Sequence, residues 1–461
     1  MFIPDLLVII SVIKGLDLIL VLHHLCLGVV NIKLLKELIQ RFIKLSFYKS
    51  FIIVAVRSVY FFQKYEDISN KKNILILNHE RFIPDLKALS SDKRIRLLIL
   101  PSRIQTLLNT LFLNNNFSYQ VDSYLNEEKE TKKLVRFVAE FINDLDKKFN
   151  LYGIMTCSFY YRQDFPYEFA SIKTSVPFYV FFKEYMKADC MVEQTIKRYK
   201  KNKFKFIGKK VFCANKNIEK ILLESDVCEK SQIVLTGSPR FDNIIKNKVS
   251  PIMNEKKIVT FFSFFHSSGG IILKGSNNFF SDKGDGYYKL FSDVHTSVAE
   301  LALENRDIQF IIKTKWGGMW FDEIISSVYR TSGIDILSQP NITLLSEGSV
   351  HSLIKQSSLV IAFNSTTVLE SSLLGRNVII PLYNEALDKY FYTNLHFTKY
   401  LDSLIVASSN KDLKHKIMRY LFDFQHIQLD DKLIKDYLGF YDNNSSKRII
   451  DNILLNSRKI V

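Results

Sequence analysis

A cluster of hydroxyl side chains in the last third of the chain has the composition of a phosphate site. Ser365, Thr366 and Thr367 follow the apolar run Leu359–Phe363 and begin a short amphipathic pattern. The free backbone N–H groups at such a helix start, together with three hydroxyls, can hold a phosphate without a lysine. Glu370 lies one turn further along, where its carboxylate can reach a ribose diol. The alternative interpretation is that these hydroxyls only cap the helix.

Three further polar clusters in the second half of the chain point to the same kind of ligand. They occur in the strings LTGSPRFDN, SFFHSSGG and IIKTKWGG, each of which contains or follows an apolar run. A guanidinium can bind a phosphate through two hydrogen bonds, a glycine pair lets backbone approach a ligand, and lysines supply charge. Ordinary turns, surface ion pairs and a core tryptophan are the alternatives for each cluster taken alone. The candidate residues for binding a nucleotide are Gly237, Ser238, Arg240, His266, Lys313 and Lys315.

The elements that must position these clusters are alternating strands and helices. Leu359–Pro381 reads as strand, short helix and strand, a βαβ unit that implies a parallel sheet buried on both faces. Open sheets of this kind bind ligands at the carboxyl ends of their strands, where all four clusters are predicted to lie. Further strands are predicted at Ile74–Leu77, Ile95–Leu100, Leu151–Cys157, Val176–Phe182, Val211–Ala214, Ile258–Phe262, Ile308–Lys313 and Ile342–Leu345.

We predict an α/β protein with two Rossmann-like domains that face each other across a ligand cleft. With 461 residues, of which 47% are hydrophobic and 24% charged, the chain is globular and has more than one domain. The predicted parts are an apolar helical extension (1–70), an acceptor domain (71–248), a nucleotide-donor domain (249–404) and C-terminal helices that pack back on the first domain (405–461).

The charge of the chain favours anionic partners, because 63 Lys and Arg stand against 47 Asp and Glu. Eight of these cations fall within Lys197–Lys210, where no nucleic-acid motif surrounds them, so a solvated face or a lipid-headgroup contact is favoured over nucleic acid. The apolar segment 1–31 is predicted either to be buried in the first domain or to dock on the inner face of an anionic membrane. Five scattered cysteines without a CxxC pair favour a reducing compartment, so we expect a cytoplasmic protein.

The order TGSPRFD, then IIK, then FNSTTVLESSLLGRNVIIP resembles the donor-binding half of GT-B glycosyltransferases. The resemblance covers residues 150–390 and is to enzymes of bacterial capsule, lipopolysaccharide and surface-polysaccharide biosynthesis, with CDP-glycerol polyol-phosphate transferases as relatives. Many relatives have His-Pro where this chain has Lys315-Trp316, which leaves the donor nucleotide open. The resemblance implies a ribose or base role for Glu370. It also implies that the donor's phosphates are held by Gly237, Arg240, Ser365, Thr366 and Thr367.

The same resemblance implies that the first half of the chain binds the acceptor and supplies a general base. Glu184 and Asp164 are the leading candidates, because each follows an apolar run in the part of the chain that carries the resemblance. The other candidates are His79 with its neighbour Glu80, and Asp85. No metal is expected, because no Asp-x-Asp pair follows a predicted strand in the way that metal-dependent transferases require. No cofactor is expected either, since the nucleotide sugar is itself a substrate.

These observations predict a metal-independent glycosyltransferase that moves a sugar from a nucleotide-sugar donor to a surface-glycan or lipid-linked acceptor. A CDP-polyol phosphotransferase or a nucleotide-sugar epimerase on the same fold is the first alternative. A non-catalytic membrane-surface component of a polysaccharide assembly complex is the second. The expected partners are the donor, the glycan or lipid-linked acceptor and an anionic inner-membrane surface, with no nucleic acid.

Overall fold

The computed structural model describes residues 52, 56–62, 71–102, 104–106, 109, 128–246, 257–266, 286–423 and 427–456. The chain divides into two compact units. The first takes in residues up to 185, residues 195–240 and residues from 444 onward; the second takes in residues 186–194 and 241–443. The predicted apolar segment 1–31, the Gly269-Gly270 pair and the predicted domain boundary at 248 lie outside the described residues.

The sheet of the first unit has seven described strands in the order β1-β3-β2-β4-β5-β6-β7. Edge strand β1 is antiparallel to β3, and the other strands pair in parallel. Because the chain leaves β2 toward β3 on one side and β4 lies on the other, the order of strands reverses between β2 and β4. The strands are β1 (Tyr60–Phe61), β2 (Lys72–Ile76), β3 (Ile95–Ile99), β4 (Leu151–Thr156), β5 (Phe178–Phe182), β6 (Lys210–Cys213) and β7 (Ile233–Leu235).

The sheet of the second unit has six described strands, all parallel, in the order β10-β9-β8-β11-β12-β13. Counted from β8, this is the order 3-2-1-4-5-6 of dinucleotide-binding folds, and the order reverses between β8 and β11. The strands are β8 (Ile258–Phe262), β9 (Gln309–Lys313), β10 (Ile342–Leu345), β11 (Leu359–Ala362), β12 (Val378–Pro381) and β13 (Ile405–Ala407).

Helices join the strands and cover both sheets, as the near-continuous apolar strands require. In the second unit a helix follows β8, β9, β10 and β11 in turn. Two single turns of 3-10 helix, His79–Arg81 and Arg162–Asp164, follow β2 and β4 of the first unit. None of the helices that the structure describes is both long and apolar enough to cross a membrane. The helices of the first unit and its borders are α1 (Ile83–Leu89), α2 (Glu128–Phe149), α3 (Phe165–Thr174), α4 (Asp189–Lys201), α5 (Lys216–Glu224) and α6 (Pro239–Lys246). Those that follow are α7 (Tyr288–Glu304), α8 (Met319–Ser332), α9 (Val350–Gln356), α10 (Thr367–Leu373), α11 (Lys389–Tyr392), α12 (Asn410–Phe422), α13 (Asp431–Leu438) and α14 (Ser445–Asn456).

The last helix, α14, returns to the first unit. It packs against α1 and β4, and Ile449, Ile450 and Ile453 on its inner face have no exposed surface. At its polar edge Asp451 pairs with Arg94 at 2.7 Å. The first unit is therefore completed by residues that follow the whole of the second unit in the chain.

The predicted α/β class with two Rossmann-like domains is confirmed, and the strands β8 and β10 have the predicted bounds. The structure differs from the prediction at both ends. Tyr60–Phe61, inside the segment predicted as helical, pairs with β3 as a strand. Ile405–Ala407, predicted to begin the C-terminal helices, pairs with β12, and residues 405–443 belong to the second unit. Strands of two or three residues are too short to give a periodic pattern, and their pairing alone makes them strands.

Candidate nucleotide-phosphate site and candidate base

Four neighbouring strands of the second sheet end at the same level. Lys313 on β9 is in register with Phe262 on β8 and Leu345 on β10, and Phe262 is in register with Ala362 on β11. Neighbouring strands are spaced by about 4.8 Å, so this row is roughly 14 Å wide. The residues that follow the row include the predicted clusters after β9 and β11. They lie on both sides of the switch point between β8 and β11, where open α/β sheets bind ligands.

Lys313 is a buried cation at the centre of this row, with 8% of its surface exposed. Its Nζ donates to the carbonyl oxygens of Thr314 at 2.6 Å and Ser346 at 2.9 Å. Burial lowers the pKa of the ammonium group. Within the described part of the chain no carboxylate pairs with it. Because an ammonium has three N–H donors, the two carbonyls leave one donor and the positive charge for an anion.

A hydrogen-bonded chain fixes the serine that follows β8. His295 on α7 is fully buried, and burial lowers the pKa of its imidazole to about 3, so the ring is neutral. Its Nδ1 donates to the carbonyl of Phe291 at 2.7 Å, which leaves Nε2 as an acceptor for the Ser263 hydroxyl at 2.9 Å. The indole N–H of Trp320 on α8 donates to the same hydroxyl at 3.1 Å. Sequence reasoning missed His295 and Trp320; the one available signal was a histidine within an otherwise apolar helix face.

His266, predicted to contact a phosphate or act as an acid, is buried among aromatic side chains. Its ring stacks on Tyr288 with centroids 4.0 Å apart and on Phe265 with centroids 4.4 Å apart. Burial lowers the pKa of this imidazole to about 4, so the ring carries no charge at neutral pH. A phosphate contact by His266 stays a prediction, and it would have to be made by a neutral N–H donor.

The hydroxyl cluster lies where the sequence places it, immediately before and at the start of α10. Ser365 Oγ accepts from the backbone N–H of Thr367 at 3.2 Å and lies 3.1 Å from Thr367 Oγ1. Ser365 and Thr366 are half-buried, while Thr367 is buried. The Ser365 hydroxyl therefore closes a local turn just before α10, whereas Thr366 at the N-cap position makes no side-chain cap hydrogen bond. Phosphate binding by the three hydroxyls stays a prediction.

Glu370 is a buried carboxylate one turn into α10. The exposed fraction of its side chain is 6%, and its Oε2 lies 3.3 Å from Nε2 of His351 on α9. This contact orients the carboxylate. A carboxylate held in a fixed orientation suits bidentate recognition of a diol, so the ribose role predicted for Glu370 remains compatible with its surroundings.

Lys315, by contrast with Lys313, is exposed. Its Nζ lies 4.9 Å from the ring centroid of Trp316, whose surface is 48% exposed. Trp316 in turn meets Trp320 edge to face, with centroids 5.7 Å apart. The loop after β9 thus presents a cation and an aromatic face to solvent, beside the buried ammonium that ends the strand.

Arg240 of the first unit is engaged by a buried carboxylate. Asp85 has no exposed surface, and its oxygens accept from Arg240 Nη2 at 2.7 Å and Nε at 3.1 Å. They also accept from the backbone N–H of Arg240 and from the Ser238 hydroxyl at 3.2 Å. Gly237 turns the chain with a φ of 79°, which lies in the left-handed region. These hydrogen bonds hold the loop between β7 and α6 against α1. Phosphate contact by Gly237, Ser238 and Arg240 stays a prediction, and Arg240 would have to share its charge with Asp85.

The switch point of the first sheet, between β2 and β4, holds a buried polar network. Asp164 is 2% exposed and accepts from Asn78 Nδ2 at 2.6 Å, from Thr156 Oγ1 at 2.6 Å and from Gln105 Nε2 at 3.1 Å. Burial raises the pKa of Asp164 to about 7, and these hydrogen bonds oppose the rise. These hydrogen bonds let Asp164 order this edge of the sheet, and its role as a base stays a prediction.

His79 lies beside this network, and its role as a general base stays a prediction. Its Nδ1 lies 3.3 Å from Glu80 Oε2, and its Nε2 lies 3.1 Å from the Tyr60 hydroxyl. Burial lowers the pKa of His79, and the charge of Glu80 partly opposes that change.

Glu184, another predicted base, follows β5. Its side chain is 41% exposed, and its carboxylate lies 3.5 Å from the Lys183 ammonium. Among the described residues, no group of three His, Cys, Asp or Glu side chains is placed to hold a metal ion.

Comparison with known proteins gives a fold-level similarity only. No family model matches the chain, and no curated protein matches it. Among solved structures, UDP-GlcNAc 2-epimerase from Neisseria meningitidis bound to UDP-GlcNAc is similar over 83% of this chain and 99% of that one, at 11% identity and a TM-score of 0.45. The UDP-GlcNAc 2-epimerase of Methanocaldococcus jannaschii is similar over 84% and 99%, at 12% identity and a TM-score of 0.48. The OtsA apo structure is similar over 85% and 100%, at 8% identity and a TM-score of 0.42.

Proposed function

We propose that this chain is a glycosyltransferase of the GT-B type that uses a nucleotide-sugar donor. The observation that carries the proposal is Lys313, a buried ammonium that meets only carbonyl oxygens within the described residues, at the carboxyl edge of a 3-2-1-4-5-6 sheet. An uncompensated buried cation is costly, so a site that retains one is suited to an anionic ligand. The diphosphate of a nucleotide sugar is an anion of the kind that such a buried ammonium would bind.

The donor would lie along the row with its diphosphate near Lys313 and the backbone N–H groups and hydroxyls that follow β11. Glu370, oriented by His351, would accept hydrogen bonds from the ribose hydroxyls. Charge stabilisation of the leaving diphosphate by a lysine and by backbone N–H donors requires no metal ion. Metal independence therefore belongs to the proposal.

For the chemical step we propose His79 as the base. It accepts the proton of the acceptor hydroxyl while that oxygen bonds to the anomeric carbon of the sugar and the bond from that carbon to the diphosphate breaks. The neutral ring that burial favours is the form that can accept a proton, and Glu80 would stabilise the imidazolium that results. The acceptor proposed is a surface glycan or a lipid-linked glycan. The four described cysteines are free thiols, which supports a cytoplasmic setting.

Donor binding is tested by isothermal titration calorimetry with a panel of UDP-, CDP-, GDP- and ADP-sugars, including UDP-GlcNAc. Lys313→Gln should weaken the preferred donor by about 10–100-fold, because a charge-assisted hydrogen bond is lost. Lys411→Gln, which removes an exposed cation from α12 of the same unit, should leave affinity unchanged. If no nucleotide sugar binds, or if folded Lys313→Gln protein binds like the wild type, the proposal fails.

Product analysis separates sugar transfer from the other reactions that such a site could support. Release of a nucleoside diphosphate only in the presence of an acceptor supports transfer. An epimer formed without acceptor would instead identify an epimerase, and CMP released from CDP-glycerol would identify a polyol phosphotransferase. Absence of turnover with every donor that binds would favour a non-catalytic component of a polysaccharide assembly complex. His79→Ala should abolish turnover and leave donor affinity unchanged, whereas an active His79→Ala protein would refute the assignment of the base.

A further inference from the structure

The amino-terminal edge of the first sheet carries a group of exposed lysines that the proposed reaction does not use. Four of them make no ion pair with any described carboxylate, and the fifth, Lys205, donates to the backbone carbonyl of Asp226. We call this group the basic edge; it consists of Lys173, Lys201, Lys203, Lys205 and Lys209, all of them exposed.

The chain brings these lysines together because α3 leads into β5 and the loop after α4 leads into β6. Strands β5 and β6 are parallel neighbours, so both connections reach the sheet at the same edge. A buried carboxyl group joins them: Glu168 Oε1 on α3 accepts from the backbone N–H groups of Ile207 at 2.7 Å and Gly208 at 3.2 Å. Ile172 follows Glu168 by one helical turn on the same face of α3.

Two isoleucines are exposed within the basic edge. Ile172 is 65% exposed and Ile207 is 37% exposed. The aromatic side chains of the same segment are directed inward, since Phe204 is 9% exposed and Phe206 is 4% exposed. The edge therefore offers solvent a mixture of lysine ammonium groups and aliphatic side chains, with its aromatic rings withdrawn.

We propose that the basic edge docks on an anionic phospholipid bilayer. Lysines attract the negative headgroups, and exposed aliphatic side chains between them can enter the interface. Single-stranded nucleic acid is a poorer match, because its binding uses exposed aromatic rings for base stacking, and both phenylalanines here are buried. Acidic residues bound the edge: Glu224, Asp226 and Glu229 on the neighbouring connection to β7 are exposed and would be repelled by the same headgroups.

Docking through this edge leaves the other end of the sheet free. The network around Asp164 and the His79 ring follow the carboxyl ends of β2 and β4, at the opposite edge of the same parallel sheet. The surface that binds lipid and the residues proposed for chemistry are thus separate features of one sheet, and each can be altered without the other.

The test is co-sedimentation of the full chain with vesicles of phosphatidylcholine alone and of phosphatidylcholine with 30–40% phosphatidylglycerol. We expect binding only to the anionic vesicles, and release between about 0.1 M and 1 M salt as the Debye length shortens to roughly 3 Å. The triple variant Lys173→Gln, Lys201→Gln, Lys209→Gln should bind roughly 100-fold more weakly. A matched variant of the second unit with the same change of charge should bind like the wild type; its substitutions are Lys411→Gln, Lys432→Gln and Lys435→Gln.

The aliphatic contribution is tested separately from charge. Ile207→Gln should weaken vesicle binding several-fold at unchanged net charge, whereas Leu337→Gln, at a site 66% exposed in the second unit, should not. Equal losses in the two triple variants would show a nonspecific charge effect and overturn the proposal. Vesicle binding that survives in the basic-edge variant would place the docking surface elsewhere in the chain. Tight binding to single-stranded RNA with none to anionic vesicles would overturn the choice of lipid.

Discussion

Glu168 allows a quantitative test of how burial controls charge in the first unit. Its side chain is 2% exposed, and its Oε1 accepts the N–H groups of Ile207 and Gly208. Burial raises the pKa of this carboxyl from 4.5 to about 8, although the two backbone hydrogen bonds oppose the rise. The perturbation is Glu168→Gln, since a glutamine oxygen can accept both N–H groups and cannot ionise.

The sign of the effect follows from proton binding. Between pH 4.5 and 8 the folded state holds a proton that the unfolded state releases, so the stability of the wild type falls as pH rises through this window. From pH 4.5 to 7 the interval is 2.5 units, which at 1.36 kcal/mol per unit corresponds to about 3 kcal/mol. The Glu168→Gln protein should not lose this stability, because glutamine has no proton to release. The variant should match the wild type near pH 4.5 and exceed it by about 3 kcal/mol at pH 7.

The assay is urea unfolding at several pH values, followed with two signals. Both tryptophans, Trp316 and Trp320, lie in the second unit, so their fluorescence reports on that unit, while far-ultraviolet circular dichroism reports on both units. At pH 7 the substitution should move the unfolding of the first unit to higher urea concentration. This shift should be visible by circular dichroism and absent from tryptophan fluorescence. Equal stabilities of variant and wild type from pH 4.5 to 8 would refute the reasoning, as would a shift confined to tryptophan fluorescence.

Three other substitutions have distinct expected results. Asp85→Asn removes the buried carboxylate that faces the guanidinium of Arg240. The free energy of unfolding in urea titrations should fall by about 3 kcal/mol. A loss below about 0.5 kcal/mol would mean that solvent screens the pair. Glu80→Gln removes the charge that raises the pKa of His79, so the acidic limb of the pH–rate profile should move to lower pH, and an unmoved limb would contradict the proposed base. Ser263→Ala leaves the buried imidazole nitrogen of His295 and the indole N–H of Trp320 without their partner. It should lower the free energy of unfolding by about 2 kcal/mol, measured by tryptophan fluorescence. An unchanged midpoint would argue against the hydrogen-bonded chain.

Sequence patterns predicted the parallel strands closely because strands buried on both faces are continuous apolar runs. Phe178–Phe182 is an example, with all five residues buried. The same reasoning placed Lys313 at a strand end and Ser365 just before a helix start, both of which are local properties of the chain. Strands as short as Ile405–Ala407 have no local signal and were missed.

Partners that are distant in the sequence could not be predicted. Arg240 looks like a free phosphate ligand in the string TGSPRFD, because its counter-ion Asp85 lies 155 positions earlier. His295 looks like one more residue of an apolar helix until the fold brings it to Ser263. The partner of a buried polar group is set by tertiary contacts between distant segments. The alternation of buried and exposed positions, by contrast, can be seen in a short window of sequence.

The return of α14 to the first unit makes the order of protein synthesis matter. About 200 residues separate position 240, where the first unit's earlier part ends, from position 444, where it resumes. At about 5–20 residues per second, a ribosome takes roughly 10–40 s to bridge that gap. Throughout this interval the nascent chain lacks Ile449, Ile450 and Ile453, so the apolar surfaces of α1 and β4 that they cover must be shielded by chaperones or by transient contacts. The earliest part of the polypeptide to leave the ribosome is therefore among the last to reach its final stability.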